Sequence, residues 1–373
     1  MRFSDYSLRV TPLSMLLSQA VVVLFMFKGL FEFPEQILGV TVSVFYSHLN
    51  LGLTFFVFLV SVASRRIFLR PLIIVFLFFA FYGVCTGLIF HSFTEKTLAN
   101  IYFYLMPALM LNFGTLVYKQ HGTNFRHFFI AYAIKIWPFL IALSALYLFL
   151  WSVGLWGYYG FVSNALIASM FSHPGSLRFS LGFLLEVLSG KRTVIIVAAL
   201  VLISRLNKKS VLFFLVCCFF LVAFLGQQIP GRLAYTFHFE WSDPRSLYLA
   251  TGGRSSEISA IVNALKADPW KFLTGFGFGA TYTSYDAFNS ENFDVRHYSH
   301  FGPISYLFIT GITSTILIYA FLSKFVLETW RHNDRFFLLP LVFYISSFFG
   351  AGLHVEPLPW LVFGYAMEMV KKE

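Results

Sequence analysis

The sequence predicts an all-α polytopic integral membrane protein with about ten transmembrane helices, within a range of nine to twelve, and one large outer loop. Three observations support this fold class. Only 12% of the residues are charged, whereas a soluble domain carries roughly 25%. Apolar runs of about 20 residues, the length that a helix needs to cross a bilayer, recur along the chain. One long polar interval, 227–302, stands between them.

The N-terminal region, residues 1–226, contains most of the expected spans. They are 13–31, 37–63, 72–90, 101–117, 128–151, 161–204 and 211–225. The run 161–204 is too long for one helix, and polar or helix-breaking residues interrupt it at 173–175 and 189–193. Non-helical backbone at membrane depth is tolerated only where protein or a water-filled cavity surrounds it. We therefore expect a broken helix near 173–193 whose break faces a cavity.

The C-terminal region, residues 303–373, contributes three further spans, at 303–325, 336–350 and 357–370. The chain has a formal net charge of +10, whereas the interval 227–302 holds six Lys/Arg and seven Asp/Glu. The basic excess therefore lies in the short connections, as is typical of cytoplasmic loops. This pattern predicts that both termini are cytoplasmic and that the interval 227–302 lies outside. It also argues against a nucleic-acid partner, because no separate basic face exists.

The interval 227–302 is expected to form a large outer loop that contains short helices. The apolar residues Ile258, Ile261, Val262 and Leu265 recur at helical spacing in 257–267. Ser255 or Ser256 is expected to cap the start of this helix. Asp268-Pro269 is expected to end it, because the residue before a proline is pushed out of the helical region. The glycine run 275–279 is expected to form a tight turn rather than a nucleotide site.

Two positions combine cations with features that favour binding of a diphosphate. Arg192 follows Lys191 at the predicted membrane break, and an arginine at membrane depth usually faces a functional cavity. Its guanidinium binds phosphate with two hydrogen bonds and stays charged. Arg254 follows two glycines near a helix start, where free N–H groups attract anions. The alternative interpretations are that Arg192 anchors a helix end and that Arg254 is a solvated arginine paired with Glu257.

His300 lies at the outer mouth of the span 303–325, where a histidine can act as a general acid or base near neutral pH. The alternative is an ordinary interfacial histidine. The interval holds further candidates of lower rank. These are Arg232, Arg245, Arg296, His297 and Glu257.

Acidic residues are scarce in the spans, and no Asp-x-Asp motif occurs. A metal-dependent nucleotide-sugar transferase needs carboxylates for its ion, and an ion-coupled transporter usually carries its ion on intramembrane carboxylates. The sequence therefore disfavours both classes, and we expect neither a metal site nor a cofactor.

The order and spacing of these features resemble the family of O-antigen polymerases and O-antigen ligases, which are glycosyltransferases of the bacterial envelope. The matching features lie between about residues 161 and 325, and Phe301 stands where the family often has Asn. They are Ser189-Gly-Lys-Arg192-Thr before a span, Gly253-Arg254, Asp268-Pro269-Trp270, the run 275–279, and His300 before a span with Tyr306, Leu307 and Gly311.

The resemblance implies a metal-independent glycosyltransferase in the bacterial inner membrane, with its active site facing the periplasm. Arg192 and Arg254 would bind the diphosphate of an undecaprenyl-diphosphate-linked glycan and stabilise it as the leaving group, with Lys191 beside them. His300 would activate or orient the acceptor hydroxyl. The expected function is a polymerase that joins the repeat units of a surface polysaccharide: an O-antigen of lipopolysaccharide, a capsule or an exopolysaccharide.

Two alternatives stay open. One is a ligase that transfers finished glycan to a lipid or protein acceptor, and the other is a flippase or other transporter of lipid-linked oligosaccharide. The expected partners are the lipid-linked donor and acceptor and the membrane lipid, and a chain-length regulator and a separate flippase are candidate partners.

Overall fold

The computed structural model describes residues 4–28, 30, 42–64, 66–68, 70–91, 93–153, 165–171, 177–179, 181–182, 240–287, 293–332, 334–349 and 356–372. The chain divides into two compact units. The first comprises Met1–Phe25, Leu49–Arg126 and Arg254–Glu373, and the second comprises Met26–His48 and His127–Gly253.

The elements are numbered in chain order within the described residues. The N-terminal helices are α1 (Ser4–Met26), α2 (Val42–Ala63), α3 (Pro71–Phe90), α4 (Glu95–His121), α5 (Asn124–Ser152) and α6 (Ala165–Ser169). The polar interval contains α7 (Pro244–Thr251), α8 (Arg254–Ala267), α9 (Lys271–Thr274), β1 (Tyr282–Tyr285) and β2 (Phe293–Arg296). The C-terminal elements are α10 (Gly302–Trp330), a 3-10 turn (Arg335–Phe337), α11 (Leu338–Phe349) and α12 (Pro357–Val370).

Five of the described helices are long and apolar enough to cross a membrane, so the chain is a multi-pass, helical membrane protein. They are Phe45–Ala63 within α2, α3, α4, Asn124–Tyr147 within α5, and α10. Each covers most of a predicted span. Several predicted features fall outside the described residues. They are the expected spans around 183–239, most of the predicted break near 173–193, and the residues Lys191, Arg192 and Arg232.

The core of the first unit forms around α4, which packs against α3 and α12. Two glycines allow the backbones of α4 and α12 to meet: a Cβ at Gly114 would lie 2.1 Å from the carbonyl oxygen of Leu361, and one at Gly364 the same distance from that of Leu111. Close backbone contact through small residues is a common way for membrane helices to associate. Tyr104, fully buried on α4, adds a contact to α10 through its hydroxyl, which meets that of Thr310 at 2.5 Å.

Charged residues gather at one end of this helix group. Glu368, near the end of α12, pairs with Arg70 and lies 3.6 Å from the Nζ of Lys119. Arg126 pairs with Asp334 in the connection after α10. These pairs place Arg70, Lys119 and Arg126 near the ends of α3, α4, α5 and α12.

Helix α10 has a break in its helical backbone at Gly311, where φ is 83°. A Cβ at this position would lie 2.1 Å from the carbonyl oxygen of Leu273. The close approach of Leu273, in α9, therefore requires glycine here. Helix α10 therefore consists of two helical parts, one before and one after Gly311.

The second unit contains most of α5 together with α6 and α7. Trp137 on α5 donates a hydrogen bond from Nε1 to the Oγ of Ser169 at 2.8 Å. Phe129 packs edge-on against Phe171, with ring centroids 5.7 Å apart. Helix α7 is capped by Asp243, whose carboxylate accepts from the backbone N–H groups of Arg245 and Ser246.

Two expectations about the polar interval require correction. Helix α8 begins at Arg254, so Ser255 and Ser256 lie inside its first turn and are not N-caps; Ser256 instead donates to the carbonyl of Tyr285 at 2.9 Å. The interval also contains an antiparallel hairpin, β1 paired with β2, in addition to the expected short helices. Its four-residue strands are too short to give a clear periodic signal.

Candidate functional site

Glu257 lies on the buried side of α8, at the centre of a cluster of polar residues. It shares this side with Ile261 and Leu265 at a spacing of four residues, which places all three on one helix face. Its side chain has no exposed surface. A buried carboxylate is costly unless it is paired and hydrogen-bonded, so its partners determine the local structure.

Four donors surround the Glu257 carboxylate. One oxygen, Oε1, lies 2.6 Å from Nδ1 of His300 and also accepts from Arg296. The other oxygen, Oε2, accepts from the hydroxyl of Ser299 at 2.9 Å and from the backbone N–H of His300 at 2.8 Å. The single carboxylate therefore fixes both the backbone and the ring of His300.

The protonation of this pair follows from the contacts. Burial alone would raise the pKa of Glu257, but the hydrogen bonds and charge of His300, together with the hydrogen bond of Ser299, outweigh it and lower the pKa to about 2. An ionised carboxylate only accepts hydrogen bonds, so His300 carries a proton on Nδ1. The other ring nitrogen, Nε2, can then exchange a proton with a bound molecule, and 39% of the His300 side chain is exposed.

Arg296, the last residue of β2, connects the cluster to the hairpin. Besides Glu257, its guanidinium binds Asp286 and Asp294, each at 3.0 Å. Three carboxylates thus hold one half-buried arginine. At least three N–H groups of this sequence-predicted candidate are therefore used within the protein.

The turn that leads to His300 is anchored on both sides. The ring of His297 stacks on Phe103 of α4, with centroids 6.0 Å apart and planes 2° from parallel. Tyr282 donates from its hydroxyl to the carbonyl of Tyr298 at 2.8 Å. Burial, together with the nearby charge of Lys96, lowers the pKa of His297. A stacked, neutral ring of this kind is typical of a packing residue, so His300 is the better acid–base candidate.

Arg254 is the first residue of α8 and precedes Glu257 by one helical turn. The residue before it, Gly253, has φ of 85°, in the left-handed region that favours glycine. Positions three residues apart are neighbours on a helix surface. Arg254 and Glu257 therefore lie one turn apart on the same short helix, and His300 contacts that helix through Glu257.

One of the remaining predicted cations lies within the described residues. Arg245 is exposed and lies in the first turn of α7, in the second unit. Lys191, Arg192 and Arg232 fall outside the described residues. Of the sequence-predicted site residues, the structure joins His300, Glu257 and Arg296 in direct contact and places His297 on the same turn.

The glycine run 275–279 is a turn packed between α3 and α10. Its N–H groups are used by neighbouring backbone: Phe276 donates to Phe308 at 2.8 Å, Gly277 to Ile309 at 2.9 Å, and Phe278 to Gly83 at 3.1 Å. A phosphate-binding loop needs such N–H groups to point at its ligand. The contacts agree with the expected tight turn and disagree with a nucleotide site.

No group of three or more His, Cys, Asp or Glu side chains suited to a metal ion occurs among the described residues. The acidic residues near His300 are instead occupied by Arg296 and by His300 itself.

Sequence reasoning named Glu257 and His300 separately but missed their contact, and it missed Ser299. A signal for Glu257 was present in the sequence, since a glutamate shares the apolar face of a predicted helix with Ile261 and Leu265. Such a position requires a buried partner. Which residue supplies it depends on the path of the 43 residues to His300.

Comparisons of the chain with known protein families, with characterised proteins and with solved structures found no match.

Proposed function

We propose that this protein is a glycosyltransferase of the bacterial inner membrane that polymerises the repeat units of a surface polysaccharide. The donor would be a glycan linked to undecaprenyl diphosphate, and the acceptor a second lipid-linked unit. The observation that carries the proposal is the contact between His300 Nδ1 and Glu257 Oε1 at 2.6 Å. A histidine oriented by a carboxylate is a common arrangement for activating a hydroxyl group.

In the proposed reaction, Nε2 of His300 accepts the proton of the acceptor hydroxyl. The oxygen of that hydroxyl forms a bond to the anomeric carbon of the donor, and the bond from this carbon to the diphosphate breaks. The electron pair leaves with the polyprenyl diphosphate. No metal takes part in this scheme, so a cation from the protein must stabilise the negative charge on the leaving group.

Arg254 is the described residue that fits this second role best. It begins α8 one turn before Glu257, and guanidinium groups bind phosphate oxygens in pairs. The sequence adds Lys191 and Arg192 as further diphosphate ligands. Glu257 and Arg296 act as positioning residues in this scheme, since they hold the ring and the turn of His300.

The proposed orientation puts the site in the periplasm and both termini in the cytoplasm. Its support is the separation of charge along the first unit. The Arg70–Glu368–Lys119 cluster lies at the start of α3 and the ends of α4 and α12. The turn bearing His297 contacts the first half of α4 instead, through Phe103. Basic residues mark the cytoplasmic side, so the His300 turn would lie on the other side.

Surface glycan analysis on a gel tests the function. A deletion strain would be complemented with the wild type, Arg254→Ala, Arg192→Ala, His300→Ala and the control Arg245→Ala, with protein levels matched. The proposal predicts single repeat units in the deletion strain, a full ladder from wild type and Arg245→Ala, and no ladder from the other three. Polymer that stays on its lipid carrier in the deletion strain would instead identify a ligase. Normal ladders from all variants would contradict the site and favour a transport role.

A further inference from the structure

Part of the polar interval packs beside two membrane helices of the first unit, away from the ends of those helices. Helix α3 has 20 residues and is about 30 Å long, which matches the hydrocarbon core of a bilayer. The segment after α9 contacts α3 well before its end at Phe90. Phe278 donates to the carbonyl of Gly83 at 3.1 Å, and a Cβ at Gly277 would lie 2.9 Å from the nitrogen of Gly87. These contacts lie roughly 5–10 Å inside the end of α3.

The contacts with α10 agree with this depth. The carbonyl of Leu273 lies against Gly311, nine residues after the start of α10 at Gly302. A Cβ at Gly275 would lie 2.4 Å from the carbonyl oxygen of Ile309. Two apolar helices, both long enough to cross a membrane, therefore hold the same segment below their ends.

The polar backbone of this segment has the hydrogen bonds that membrane depth requires. The donors of Phe276 and Gly277 bind carbonyls of α10. The carbonyl of Thr274 accepts from the hydroxyl of Tyr82 at 2.9 Å, and that of Phe276 contacts Nε2 of His91 at 2.9 Å. Irregular backbone is tolerated at this depth only when it is surrounded by protein in this way.

Three exposed side chains in and just before α9 are apolar. Trp270, Phe272 and Leu273 are 75%, 43% and 50% exposed. These side chains lie beside the exposed apolar end of α3. Their neighbour Lys271 places its Nζ 3.8 Å from the ring centroid of Phe90, which is 58% exposed. Tryptophan and lysine beside a membrane helix end are typical of the membrane–water interface.

We propose that α9 is an interfacial membrane anchor whose Trp270, Phe272 and Leu273 insert into the outer leaflet, with the bilayer as their partner. Interfacial segments bury their apolar side about 5–10 Å into the boundary between headgroups and acyl chains, which matches the depth at which the turn just after α9 contacts α3. This anchor goes beyond the proposed function, and only the choice of the outer leaflet rests on the proposed orientation. It fixes the chain between α8 and the hairpin, so the Glu257–His300 cluster is held near the bilayer surface.

Spin-label accessibility in phosphatidylethanolamine–phosphatidylglycerol vesicles tests the anchor. Single cysteines would be introduced at Trp270 and Leu273 after replacement of Cys85, Cys217 and Cys218. Asn263, exposed on α8, is the aqueous control, and Phe81, exposed on α3, is the lipid control. The labels at 270 and 273 should resemble that at 81, with high accessibility to oxygen and low accessibility to a water-soluble nickel complex.

Two results would overturn the anchor. Nickel accessibility at 270 and 273 equal to that at 263 would place α9 in water. Protection from both oxygen and nickel would mean that another protein surface covers it. A second measurement avoids the cysteine variants: brominated lipids should quench wild-type fluorescence more than that of Trp270→Phe, and equal quenching would contradict the proposal.

Discussion

The backbone N–H and the imidazole Nδ1 of His300 both bind the carboxylate of Glu257, at 2.8 and 2.6 Å. A single side chain on α8 thereby sets the position and the tautomer of a histidine on the turn before α10. Because Glu257 is fully buried and also binds Arg296, the same contact joins α8, the hairpin and α10. The position of the His300 ring and the stability of the surrounding fold therefore both depend on Glu257.

Glu257→Gln should destabilise the protein. The neutral amide leaves Arg296 without its most buried carboxylate, and loss of one member of a buried pair costs about 3–5 kcal/mol. Thermal unfolding in detergent should show a clearly lower midpoint. Asp268→Asn is the control, because this exposed residue lies just after the same helix and should change stability by less than about 0.5 kcal/mol. Equal midpoints for both variants would mean that the buried pair contributes nothing.

The contribution of Glu257 to stability should disappear in acid. Its pKa falls from 4.5 to about 2 on folding, so the unfolded chain takes up a proton first as the pH drops. The stabilisation is complete above pH 4.5 and is lost progressively as the pH falls towards about 2. The difference in unfolding free energy between wild type and Glu257→Gln should narrow over this range. A constant difference would show that the folded pKa is not lowered.

The two neighbouring histidines should differ in their effect on activity. His300→Ala removes the proposed acid–base group, so the transfer rate should fall by about 10²-fold or more. His297→Phe keeps a flat ring on Phe103 and should retain most of the activity. Rates would be measured on matched amounts of folded protein. The reverse result, with His297 essential and His300 dispensable, would move the catalytic role to the stacked histidine.

Gly311→Ala should be poorly tolerated. Its φ of 83° is strained for alanine, and the new Cβ would meet the carbonyl oxygen of Leu273 at 2.1 Å. The combined strain should cost more than about 2 kcal/mol and reduce the yield of folded protein. Gly52→Ala is the matched control, because a Cβ at Gly52 in α2 meets nothing within 4 Å. Similar yields for the two variants would contradict the packing of Leu273, in α9, against Gly311 of α10.

The membrane helices could be predicted from the sequence because length and apolar content alone define a span. The bounds of α3, Pro71–Phe90, lie within one residue of the predicted span 72–90. The predicted span 101–117 is shorter than α4, which begins at Glu95 because Thr94 forms a capping box with Thr97. Polar residues at a helix end carry no hydropathy signal, so capping extends a helix beyond its apolar run.

The cluster was harder to predict than the spans. Arg254 and Glu257 are close in sequence, and their spacing alone suggests an ion pair. The structure instead joins Glu257 to Arg296 and His300, about 40 residues away. That contact depends on the turn at 275–279 and on the hairpin, both of which reverse the chain over short distances. Local pattern cannot specify such a path, because the turn at 275–279 is fixed by its packing against α3 and α10.

The most direct test is glycan transfer by the purified protein. Wild type and His300→Ala, with Arg245→Ala as control, would be incubated in vesicles with undecaprenyl-diphosphate-linked repeat units, and the products separated by size. We predict that wild type and Arg245→Ala lengthen the glycan in the presence of a metal chelator and release one undecaprenyl diphosphate for each unit joined. His300→Ala should neither lengthen the glycan nor release undecaprenyl diphosphate. If wild type leaves the units unchanged, or if His300→Ala extends them at the wild-type rate, the proposed catalytic role of the Glu257–His300 pair is wrong.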